Sequence, residues 1–127
     1  MEWKFDITDR PSNQITITNV VAANSTDVQT SAVIPSGESW HIERVIFAHG
    51  DDNRGFSGGF KMEWGSAGSG WVFVTGAFLT GNTMIIPVLN DFLGDGSKRF
   101  RLTRQNLDPA NSKNMQVIID GFKRIEG

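Results

Sequence analysis

The chain contains no cysteine. That absence removes disulfides, thiolate nucleophiles, iron–sulfur clusters and cysteine-containing zinc sites together, so stability has to come from packing or from neighbouring molecules. Long apolar runs are missing as well: nothing approaches the ~20 apolar residues of a membrane-spanning helix. The opening residues Met1-Glu2-Trp3-Lys4-Phe5-Asp6 place charge between the apolar side chains and fit neither a secretory signal nor a transit peptide. The expectation is a protein made and kept soluble, with no membrane partner. Nor is there an excess of charge of one sign. Twelve Lys and Arg against 14 Asp and Glu give a net charge of -2, which leaves no global positive field to gather nucleic acid. Helix formers are scarce, with leucine at only five positions and no window of about ten residues carrying apolar side chains at helical spacing.

What is present suits a folded globule. The apolar fraction is 39%, and the 14 glycines bring the total near half of the chain, too rich for disorder. At 127 residues one hydrophobic core is expected, so residues 1–127 read as a single β-sandwich domain. Trp3, Phe5 and Ile7 alternate with Lys4 and Asp6, Ile15 and Ile17 with threonines, and Phe60, Met62 and Trp64 with Lys61 and Glu63. Further strands are predicted over 28–34, 39–49, 71–75, 83–89, 98–105 and 115–124, divided by turn signals such as Pro35-Ser36-Gly37 and Gly94-Asp95-Gly96. About eight or nine short strands with no helix imply an all-β fold, an antiparallel sandwich or barrel. Nine glycines fall between Gly50 and Gly81, where long flexible turns are expected around the strand of Phe60 to Trp64. Asp108-Pro109-Ala110 reads as an ordered loop.

Tests for chemistry return little. Gly55-Phe56-Ser57-Gly58-Gly59 has the letters of a nucleophile elbow, but both histidines, His41 and His49, precede the serine, where a strand-to-helix elbow needs one after it. Gly65 and Gly70 have the spacing of phosphate-loop glycines, yet Trp71 and Val72 follow in place of a lysine and a hydroxyl. His49, Asp51 and Asp52 are metal-ligand types whose adjacent members point to opposite faces of a strand, and Asn90, Asp91 and Asp95 lack calcium-loop spacing. Neither a metal nor a cofactor is expected. Glu43 and Glu63 read as solvent-facing or paired with Arg44 and Lys61, so the chain is not read as an enzyme.

Lys98, Arg99, Arg101 and Arg104 form the one basic cluster, with Arg99 and Arg101 on the face opposite Phe100 and Leu102. Without neighbouring exposed aromatics to stack bases, this stripe reads as a solvated or salt-bridged sheet face. Four tryptophans are many for this length. Trp40 is assigned to the core, while Trp3, Trp64 and Trp71 suit a core or a subunit interface. Trp3, Phe5, Trp64, Trp71, Arg99 and Arg101 are the candidate interface residues. A second reading is a carbohydrate-binding module in which exposed Trp64 or Trp71 acts with Asn and Asp side chains of the glycine-rich loops.

The run from Val33 to Val45, with its Pro35-Ser36-Gly37 turn leading into a strand that carries Trp40 near its start, resembles a segment of small jelly-roll structural proteins of tailed bacteriophages. The run from Asp95 to Asn106, followed by Met115 to Phe122, looks like the final strand pair of the same kind of protein, among them capsid decoration (cement) proteins and other head or tail accessory proteins. The resemblance covers roughly a third of the chain. It implies a non-enzymatic jelly roll located in the virion, often a homotrimer, whose partner is the major capsid protein or another virion protein. No binding residue is carried over from it.

Overall fold

The structure, a computed structural model, describes residues 3–5, 14–49, 58–79 and 83–126. They form nine strands: β1 (Trp3–Phe5), β2 (Gln14–Val21), β3 (Thr26–Thr30), β4 (Glu38–His49), β5 (Gly58–Ser66), β6 (Gly70–Leu79), β7 (Thr83–Leu93), β8 (Arg99–Asn106) and β9 (Lys113–Glu126). No helix occurs among the described residues. In the five-stranded sheet β1 and β2 both pair with one side of β9, followed by β4 and β7; the four-stranded sheet runs β3-β8-β5-β6. Every pairing is antiparallel. Each connection from β2 onward crosses between the sheets except β5 to β6, which is the winding of a jelly roll. The fold is therefore the all-β sandwich that the alternation predicts.

The alternation also selects the core. Phe60 and Met62 of β5, Phe100 and Leu102 of β8, Phe47 and Val45 of β4, and Met115, Val117 and Ile119 of β9 face one another between the sheets and are buried. Phe47 and Phe60 stack at 4.9 Å between ring centroids. Burying one such side chain stabilises the fold by about 1.5–3 kcal/mol.

Three strands are longer than the sequence suggests: β4 has 12 residues, β7 has 11 and β9 has 14. They stay wrapped around the core because the register slips between Ile42 and Arg44 against both neighbours. Glu43 is the extra residue against β9, whereas β7 places Val88 and Leu89 against it. Leu89 takes a φ of 50°, unusual for leucine. A β-carbon on Gly121 of β9 would lie 2.0 Å from the His41 carbonyl oxygen, so only glycine permits this approach. The slip changes the phase of β4: Ile42 points inward before it, and Val45 and Phe47 after it.

The glycine-rich stretch differs from expectation. Gly58, Gly59, Gly65, Gly70 and Gly76 lie inside β5 and β6 rather than in long flexible turns, and the turn joining these strands spans only 67–69. They are needed because backbone and rings approach closely: a β-carbon on Gly76 would meet the Phe60 carbonyl oxygen at 2.7 Å. The loop between β8 and β9 is ordered, as predicted. Asn106 Nδ2 donates to the carbonyls of Val21, Ala22 and Asn111 at 3.1, 3.3 and 2.9 Å. Asp108 Oδ1 accepts the backbone N–H groups of Ala110 and Asn111 at 2.9 and 3.1 Å.

Charged side chains occupy inward positions too, Lys113 of β9 and Arg104 of β8 among them. Arg104 follows Phe100 and Leu102 on the inner face of β8 and is completely buried. Nη1 donates to the Met115 carbonyl at 2.7 Å, and Nη2 donates to an Asp27 carboxylate oxygen. Asp27→Ala leaves this guanidinium buried without its counter-charge and is expected to cost about 3 kcal/mol in urea denaturation, much of it recovered when Arg104→Met is added. An Asp27→Ala loss that Arg104→Met only deepens contradicts this account. The Asp108 carboxyl is held below the ordinary carboxylate range by the Ala110 N–H, against the opposing effect of burial, with further help from Asn111 and Lys113. A depressed folded-state pKa means that its contribution is present at neutral pH and is lost as pH falls from about 4 through the folded value. The stability difference between wild type and Asp108→Asn should accordingly be largest near neutrality and close on acidification, read from unfolding midpoints across pH.

Candidate functional site

The outer face of the β3-β8-β5-β6 sheet collects side chains of two kinds. Arg101 of β8 reaches Glu63 of β5, with Nη2 and Nε at 2.8 and 3.0 Å from Oε1. Lys61 Nζ lies 3.6 Å from the same oxygen. The Arg101 guanidinium also sits 4.4 Å from the Trp71 ring centroid. Gly65 pairs with Trp71 and holds no side chain between the two. Arg101 is thus salt-bridged, as expected, but an aromatic neighbour is present where none was anticipated. Glu63 is paired with Lys61, one of the two expected outcomes, and it is also held by Arg101 and is buried. Arg99 is half-buried on the same strand, its Nε without a hydrogen-bond partner.

Phe73 and Phe78 complete that face, and alternation alone conceals them. Five positions apart, they would point to opposite sides of an ideal strand. A register slip opposite Met62 and Glu63 adds Val74 as an extra residue of β6, so Phe73 opposes Glu63 and Phe78 opposes Gly59. Four residue steps along β5 separate these two positions, about 13 Å at ~3.3 Å per step. Between them lies a trough of about 330 Å³ with Gly59 in its floor, Thr103 and Gln105 along β8 and Lys61 at its side. Both phenylalanines are left open, at 62% and 67% of full exposure.

A second concavity opens between the sheets, where the free edges of β6 and β7 leave the sandwich mouth uncovered. It measures about 460 Å³ and is lined by Trp64, Val74, Thr75, Val88, Asn90 and Phe92, with Lys98 contributed from the segment before β8. Trp64 faces inward, packed on Phe92 and Phe100 at 5.3 and 4.7 Å, and is only partly covered. Its polar neighbours come from β6, β7 and the approach to β8, with Asn90 and Asp91 on β7 rather than in the glycine-rich turns.

On the outer face of the other sheet, His41 Nδ1 lies 2.6 Å from Asp91 Oδ1, and its ring stacks on Phe122 at 4.8 Å. Arg124 Nη1 is 3.6 Å from the second Asp91 oxygen. No serine or threonine hydroxyl among the described residues bonds to this imidazole, so the pair is a cross-strand link between β4 and β7. His49 is buried beside Gly58 and Met115, and no cluster of three metal-ligating side chains occurs among the described residues. Asp51, Asp52 and Gly55 to Ser57 lie outside the described residues. Trp3 and Phe5 pair through β1 with Glu126 and Arg124 of β9, an edge strand of the chain's own sheet, while their side chains lie outside what the structure describes.

No family model and no curated protein matches the chain. Among solved structures it is similar to a mitogen derived from Yersinia pseudotuberculosis, with a TM-score of 0.54 and 9% identity over 91% of this chain and 86% of that one. It is also similar to the N-terminal cellulose-binding domain of a β-1,4-glucanase C from Cellulomonas fimi, with a TM-score of 0.45 and 14% identity over 92% and 91% of the two chains. A third likeness is to the Gx strain of infectious bursal disease virus, with a TM-score of 0.37 and 11% identity over 91% of this chain and 33% of that one. At these identities the first likeness shows the fold alone, a jelly-roll β-sandwich, and the resemblance to tailed-phage proteins stands on the residues quoted for it.

Proposed function

We propose that the chain is a non-enzymatic virion accessory protein, a decoration or cement protein of a tailed-phage head. Its docking surface is the outer face of the β3-β8-β5-β6 sheet. The observation that supports this is the exposure of Phe73 and Phe78 beside the Trp71–Arg101 stack on one sheet face. Binding energy at protein interfaces concentrates in aromatic and arginine side chains that a partner desolvates, and two phenylalanines kept mostly in water on a single face offer such surface. The trough between them accepts an apolar side chain of the major capsid protein or another virion protein. Its neighbours Trp71 and Arg101 are already held in place, so little side-chain freedom is lost on docking. Three copies of the chain associating at one lattice position is the arrangement that the tailed-phage resemblance favours, and bridging shell subunits is the work this surface would do.

The test joins solution mass with co-sedimentation. Light scattering should give a multiple of the 14.0 kDa chain, and the protein should sediment with tailed-phage heads stripped of their accessory proteins. Phe78→Ala should fold with the wild-type unfolding midpoint yet lose more than about tenfold in affinity, the scale on which interface aromatics act. A monomer with no affinity for heads or other virion components overturns the proposal.

A further inference from the structure

We infer that the cleft between the free edges of β6 and β7 binds a saccharide, a pyranose ring bearing a carboxylate. Its volume of about 460 Å³ falls within the ~300–1,000 Å³ usual for small-molecule sites. One wall is aromatic: Trp64 is fixed by its contacts with Phe92 and Phe100, and its uncovered part borders the opening. An indole face carries partial negative charge and receives the C–H face of a sugar ring, while a plate already immobilised loses little entropy on binding.

Beside apolar Val72, Val74 and Val88, the lining carries polar groups. Asn90 stands next to Leu89, whose positive φ turns the strand at the mouth of the cleft. Strained backbone of this kind persists where the surrounding structure holds it, often at binding sites. Asn90 Oδ1 accepts the Asp91 N–H at 2.9 Å, and its Nδ2 bonds to no group among the described residues. The Thr75 hydroxyl and Lys98 Nζ likewise have no side-chain partner among the described residues, although both line the cleft. Asp91, also at the rim, is engaged by His41 and Arg124. Lys98, whose charge helps keep the neighbouring Asp95 carboxyl ionised but which forms no salt bridge with a described residue, is therefore the cation that a carboxylate on the ligand would meet. A purely apolar ligand would strip water from Asn90, Thr75 and Lys98 without replacing its hydrogen bonds, whereas a hydroxyl-rich ring satisfies them.

Phe73 borders both the cleft and the docking face, whereas Trp71 and Phe78 line neither wall of the cleft, so variants at those two positions separate this site from the docking reading. The probes are oligogalacturonates and alginate-derived oligouronates, with cello- and malto-oligosaccharides as neutral counterparts, titrated into the whole protein by calorimetry and by tryptophan fluorescence. Saturable binding of an oligouronate with a change in indole emission is expected, together with weaker binding of the neutral sugars. Because Trp64→Ala removes a ring packed on the core, Asn90→Ala and Lys98→Ala carry the test. Each should keep the wild-type melting temperature and lose at least about tenfold in affinity, corresponding to ~1.4 kcal/mol, while Trp71→Ala binds as wild type. Absence of saturable binding at millimolar oligouronate, full affinity in both variants, or equal affinity for uronates and neutral sugars overturns the proposal.

Discussion

The approach of the Gly121 backbone to the His41 carbonyl governs the shape of the longer sheet. With a β-carbon there, β9 and β4 could not close to ladder distance at the point where β4 carries its extra residue. The slip at Glu43 has two further effects. It exchanges the inward and outward sets of β4, so that Ile42 and Val45 both reach the core although three positions separate them. It also throws the surplus residue of β7 onto Leu89, which turns the edge strand just before Asn90. Core phasing and the lining of the cleft thus follow from one backbone contact in which no side chain of Gly121 takes part.

The opposite sheet solves a related problem on its surface. One extra residue in β6 brings Phe73 and Phe78 to the same side, and Gly59 and Gly76 keep the space between them low. Arg101 crosses toward Trp71 over a glycine and is anchored by Glu63. Among the described residues each sheet carries one register slip, and each slip lies beside a concavity.

Much of the fold was legible because burial follows a period of two wherever a strand is regular. Phe60, Met62 and Trp64 face inward as the alternation requires, and Trp40 packs on the core as assigned. The same rule foretold Arg104, which shares parity with Phe100 and Leu102, yet its charge drew it into a surface cluster; only the structure shows Asp27 and the Met115 carbonyl receiving it. Phe73, Phe78 and Asn90 escaped for the opposite reason. The bulge at Val74 breaks the period between Phe73 and Phe78, and the strands read over 71–75 and 83–89 stop before Phe78 and Asn90. Glycine misled too: in Gly58, Gly59 and Gly76 it serves close approach within strands, where composition suggested turns.

The pairing of β9 has a temporal consequence. Among the described residues this strand is the only partner of β1 and β2, and it lies between them and β4, yet it occupies residues 113–126. During synthesis, the sheet that holds Ile15, Ile17, Val45 and Phe47 waits for residues 113–126 to leave the ribosome, with β2 and one edge of β4 unpaired meanwhile. Non-local closure of this kind slows folding and leaves apolar edges open to other chains. Copies made at high density on one message would meet at that stage, before either has a finished surface.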